Sequence, residues 1–156
     1  MISEITSYNK IRIAQQFSRA ANTYNSAADV QLDIAFDAMK YVSYHYKKGL
    51  DIGCGTGRIS RHLATRCDTL VAMDLAFGIL TYAKQINLSD DLSICLLQVY
   101  AVFLPIADNS VDIVFSSMML QCSDNHYSVM SELTLLLSCC SIAVLAFMCS
   151  VSFIYF

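Results

Sequence analysis

Apolar residues at Ile13, Ala14, Phe17, Ala20 and Ala21 follow the i, i+3, i+4 spacing of one helical face, so residues 9–21 are predicted helical. Ser26, with Asp29 three residues on, has the form of a capping box. The helix it opens is expected to turn Val30, Ile34, Met39 and Val42 inward. After Lys47 and Lys48 the rhythm changes to short apolar runs alternating with helical stretches. Strands are predicted at 50–52, 70–73, 94–99 and 111–116, with helices at 58–66, 77–86 and 125–137 and a fifth strand at 142–147. This alternation with short links predicts an α/β fold, a Rossmann-like, doubly wound and mostly parallel sheet.

Composition changes that picture at one end only. The last charged side chain is Glu132, and 133–156 carries no charge at all. Three readings of that run stay open: a buried helix end followed by a fifth strand, an abnormal terminus left by truncation or a changed reading frame, and a membrane anchor. The first suits the strand–helix rhythm, and the domain plan follows it. Residues 1–46 are expected to form N-terminal capping helices and 47–132 a cofactor-binding core, leaving 133–156 as an uncharged apolar segment. A sheet that stopped at its fifth strand would leave an apolar edge open. The net charge of −3, with Lys and Arg scattered, argues against a nucleic-acid surface. Seven cysteines without C-x-x-C spacing argue against zinc and for reduced thiols. The opening MISEITSYNK has no apolar signal core, and the expected compartment is the cytoplasm.

The candidate chemistry sits in LDIGCGTG, residues 50–57, which holds three of the five glycines. A strand running into glycines and then a helix brings backbone N–H groups to a ligand at the carboxyl edge of the sheet. Gly53, Gly55 and Gly57 make G-x-G-x-G, and Arg58 stands where a dinucleotide fingerprint would have its last glycine. Asp51 would repel a pyrophosphate but suits an ammonium group. Asp74, closing VAMD, is placed to take ribose hydroxyls. Together they describe a nucleoside bearing an amino acid, S-adenosylmethionine.

With D-x-G-x-G-x-G, MDLAFGIL and LPIADNSVDIVFSSMMLQ in place, the chain resembles the class I S-adenosylmethionine-dependent methyltransferases. FSRAANTYNSAADVQ, residues 17–31, is similar to the entry helices of the malonyl-[acyl-carrier protein] O-methyltransferases of biotin synthesis. The resemblance runs from about residue 10 to Glu132. It implies methyl transfer from S-adenosylmethionine to the free carboxylate of a malonyl thioester on acyl carrier protein. It implies Asp51, Gly53, Gly55 and Gly57 at the methionine end, Asp74 and Leu75 at the ribose, and Tyr100 at the adenine. It also implies Ser116 facing the transfer site, Gln121 just beyond, and Tyr24 closing over the methyl donor. Arg19 is a weaker candidate for a carboxylate or carrier phosphate. The pattern departs from the family at Tyr100, where an acid is usual, at Gly49, where a β-branched residue is usual, and at Cys122, where tryptophan is usual. Two alternatives stand beside methylation of malonyl-acyl carrier protein: an inactive remnant, and a methyltransferase acting on another small acceptor.

Overall fold

The structure, a computed structural model, describes residues 29–86, 94–101, 103–117, 119, 125–147 and 150–155. The predicted helix at 9–21, the Ser26 cap, Arg19, Tyr24, Gln121 and Cys122 lie outside the described residues.

Ten elements follow one another among the described residues: α1 (Asp29–Met39), β1 (Tyr46–Ile52), α2 (Arg58–Ala64), β2 (Cys67–Asp74), α3 (Phe77–Ile86), β3 (Ile94–Gln98), β4 (Val111–Ser117), α4 (His126–Leu136), β5 (Leu137–Phe147) and β6 (Ser150–Tyr155). They build one sheet in the order β3-β2-β1-β4-β5-β6. Pairings among β1 to β5 are parallel, and β6 returns antiparallel on β5, from Ile142↔Tyr155 to Phe147↔Ser150. The doubly wound expectation holds. The chain does not stop at the fifth strand, however: β6 covers the edge of β5 that the sequence reading left open.

Strand alternation sorts the core into two layers. Leu50, Ile52, Val114, Ala143 and Leu145 face one way, against Val129, Leu133 and Leu136 of α4. Ile113, Phe115, Val144 and Ala146 face the other way, against Ala35 and Ala38 of α1 and Ile59 and Leu63 of α2. α3 joins this second layer, with Leu80 against Ala72. The central strands are buried on both faces, so they read as apolar runs rather than alternations.

Of the expected inward stripe, Val42 is buried and Ile34 and Met39 pack partly buried against the core, but Val30 is 66% exposed, and Ala35 and Ala38 are the fully buried residues of α1. The small alanines let the helix axis approach the sheet, which a stripe of large side chains would hold off. Gly49 is explained by the same economy of space: a Cβ there would lie 2.5 Å from Cys67 Sγ and 3.0 Å from Leu70 Cδ1. A side chain at 49 would require the Cys67 thiol to move aside. No helix among the described residues is long and apolar enough to cross a membrane.

Candidate functional site

The strand order reverses at β1, whose neighbours are β2 on one side and β4 on the other. The carboxyl ends of β1 and β4 flank this switch point, the place where open α/β sheets bind ligands. Out of β1 the backbone turns through Gly53, Gly55 and Gly57 at φ 75°, 56° and 77°. These are left-handed conformations that cost a residue with a Cβ about 1–2 kcal/mol each. The turn is tied down at once: the Gly53 and Cys54 N–H groups both donate to the Met73 carbonyl, at 2.8 and 2.9 Å. A Cβ on Gly53 would also lie 2.5 Å from Met119 Cβ. The first glycine is therefore required by the protein itself as well as by any ligand.

Asp74, at the end of β2, fastens the turn from the other side. Its Oδ2 accepts from the Gly55 N–H at 3.0 Å and its Oδ1 from the Ala76 N–H at 2.8 Å. Burial raises its pKa, against the opposing pull of the Ala76, Gly55 and Leu75 N–H groups. A carboxylate offers about four acceptor positions, so these backbone bonds still leave room for a hydroxyl. The Val99 N–H donates to the Asp74 carbonyl at 3.1 Å and Gln98 Nε2 to the Leu75 carbonyl at 3.0 Å. These bonds draw the end of β3, with half-buried Tyr100 two residues on, toward Asp74 and Leu75.

Asp51 is 2% exposed. Its Oδ2 accepts from the Ser60 hydroxyl at 2.6 Å, and among the described residues no basic side chain forms an ion pair with it. Burial pushes its pKa up to about 7; the Ser60 bond opposes that rise and the Asp74 charge adds to it. Burial also raises the nearby Cys54 thiol well above its ordinary value, with the charges of Asp51 and Asp74 adding to this, so Cys54 stays protonated. Asp51 opens on a cleft also lined by Gln31, Gly53, Arg58, Phe115 and Ser117. Among the described residues no ion pair engages either Asp51 or Arg58, which share this cleft, and an amino-acid zwitterion would complement both.

Ser116 is placed otherwise than expected. It is 2% exposed and its hydroxyl donates to the Ile52 carbonyl at 3.0 Å, tying β4 to β1. Its neighbour Ser117 lines the cleft instead, because successive strand residues face opposite ways. Gln31, Arg58, Ser60 and Ser117 are the residues that sequence reasoning missed. Arg58 had a signal, since it stood where a glycine was wanted, but it was used only to exclude a dinucleotide. Gln31 and Ser60 had none, since their roles depend on how α1 and α2 pack.

Residues 50–139 match the family described as a methyltransferase domain. The chain belongs to this family. It is 39% identical over 118 residues to the malonyl-[acyl-carrier protein] O-methyltransferase of Yersinia pestis, a match spanning 74% of this chain and 43% of that one. With the protein of the same name from Hamiltonella defensa it shares 33% identity over 129 residues, 82% of this chain and 48% of that one. The chain thus spans less than half the length of these curated relatives. Among solved structures, the Haemonchus contortus phosphoethanolamine N-methyltransferase 1, in complex with phosphoethanolamine and S-adenosylhomocysteine, superposes with a TM-score of 0.80 at 20% identity, over 93% of this chain and 33% of that one. The methyltransferase domain therefore has the Rossmann-like fold of class I enzymes, for which S-adenosylmethionine is the methyl donor.

Proposed function

We propose that this methyltransferase domain holds S-adenosylmethionine over its glycine turn and directs the methyl group to the free carboxylate of a malonyl thioester on acyl carrier protein. The observation that carries the donor site is Asp51, a buried carboxylate in no ion pair among the described residues, opening on the cleft that Arg58 also lines. The identity of the acceptor rests on the relatives' names and on the resemblance at residues 17–31.

In this reading Asp51 takes the donor's ammonium and Arg58 is the cation available to a carboxylate. Gly53, Gly55 and Gly57 let the backbone approach, Asp74 takes the ribose hydroxyls beside Leu75, and Tyr100 lies toward the adenine. Tyr24 would close over the donor, and Ser116 holds β1 and β4 in register beneath it. The sulfonium, when bound, supplies an electrophilic methyl group. A malonyl carboxylate is ionised near pH 7, so no general base is needed. The protein's share is alignment and exclusion of water, worth several kcal/mol of barrier. A carrier-protein acceptor would put the domain in the cytoplasm.

The test is calorimetry with S-adenosylhomocysteine, on this chain and on Asp74→Asn, followed by methylation of malonyl-acyl carrier protein against free malonate. Binding that Asp74→Asn weakens at least tenfold, with carrier-dependent methylation, supports both halves. Binding without methylation removes the acceptor assignment alone. A folded protein that binds nothing removes both, and leaves the inactive remnant.

A further inference from the structure

At the end of the sheet opposite the cleft, β4 and β5 fall out of register. Val111 pairs with Leu137 and Ile113 with Ile142, so two residues of advance on β4 meet five on β5. The excess is gathered into a bulge held by hydroxyls. Ser141 Oγ donates to the Val111 carbonyl at 3.0 Å, and Ser138 Oγ lies 2.7 Å from Ser141 Oγ and 3.2 Å from Asp112 Oδ1. Between these anchors stand Cys139 and Cys140, both free and both exposed. Cys140 has φ 69°, a left-handed conformation that is unfavourable for a residue with a Cβ and persists only where its surroundings impose it. The two sulfurs lie 3.7 Å apart.

At 3.7 Å the two sulfurs are in contact as thiols and are not joined as a disulfide, which needs about 2.05 Å. Two thiolates bound at about 2.3 Å to one centre stand roughly 3.3–3.8 Å apart, for angles at the centre from about 90° to tetrahedral. Sulfurs already in contact at 3.7 Å therefore need only small side-chain rotations to share one centre. Among the described residues no third metal-binding side chain joins them, so the centre must be satisfied by two protein ligands. We propose that Cys139 and Cys140 form a dithiol site for a soft, thiophilic centre that takes two neighbouring thiolates, of which a trivalent organoarsenical is the type. The step is a condensation: two S–H bonds and the arsenic–oxygen bond break, two arsenic–sulfur bonds form, and one water leaves. No electron changes hands. Among the other described cysteines, Cys54 and Cys67 are buried, and Cys95, though exposed, is paired with no other described thiol.

The probe is phenylarsine oxide, added to the full chain and followed by intact mass. One adduct is expected, short of one water, resistant to excess glutathione and removed by 2,3-dimercaptopropanol. Cys139→Ser and Cys140→Ser should each lower the affinity at least tenfold, and Cys95→Ser should leave it unchanged. Digestion of the labelled wild-type chain should place the adduct on the peptide bearing both cysteines, which settles the site even if a serine variant folds poorly. An adduct on another peptide, one displaced by glutathione, or none on the folded chain overturns the proposal.

Discussion

Asp51→Asn should make this protein more stable at neutral pH while weakening its ligand. The carboxylate is 2% exposed, accepts a bond from Ser60 at 2.6 Å, and has its pKa pushed from 3.8 up to about 7, chiefly by burial. Because the folded state holds the proton more tightly than the unfolded chain, this group's stabilising contribution is complete below about pH 4. It is lost as pH rises toward and through 7. The full span is about 4 kcal/mol, of which roughly 2–3 kcal/mol falls between pH 5 and pH 8. Asparagine carries no charge at any of these pH values, and its amide oxygen can still accept from Ser60. Urea unfolding followed by far-UV circular dichroism at pH 5, 6, 7 and 8 measures the difference directly. The variant should gain on the wild type by roughly 2–3 kcal/mol across that range, almost all of it below pH 7.5. At pH 8 its affinity for S-adenosylhomocysteine should fall ten- to a hundredfold, the loss of one charge-assisted hydrogen bond of about 1.5–3 kcal/mol. A stability difference that stays constant with pH would refute the reasoning, since Asp51 would then titrate as an ordinary carboxylate.

Three further perturbations test the frame around the site. Gly49→Ala should cost about 1–3 kcal/mol by overpacking against Cys67, and Cys67→Ala in the same chain should recover most of it; a denaturation cycle that comes out additive would mean the two positions do not compete for space. Gly53→Ala combines a left-handed φ of 75° with a contact of 2.5 Å to Met119, so a loss of about 2–4 kcal/mol and of ligand binding is expected by the same unfolding assay and calorimetry. Ser116→Ala should lower stability by about 1–2 kcal/mol through the unpaired Ile52 carbonyl yet leave S-adenosylhomocysteine affinity within twofold; a large drop in affinity without destabilisation would return Ser116 to the transfer site.

Sequence showed the parallel core because the evidence for it is local. A buried central strand such as β4 is a continuous apolar run, and the glycine spacing after β1 has few meanings once Asp51 and Asp74 flank it. Helix α3 was read at its observed bounds, and α4 to within one residue at each end, its Asn125 cap accepting from the Ser128 N–H at 3.1 Å. What escaped were features set by distant partners. Whether Ser116 or Ser117 faces the cleft turns on one residue of strand register, and a two-residue period read without its neighbours has no fixed phase. The uncharged end gave no hint of a hairpin because β5 and β6 contain neither glycine nor proline to mark the turn between them. Arg58 shows the deeper limit. Its place in the glycine motif was visible, and so was the absence of a glycine, but its meaning depended on Asp51 facing the same cleft, in no ion pair among the described residues. A motif names the residues that shape a backbone; only the packed structure shows which charges that backbone leaves for a ligand to neutralise.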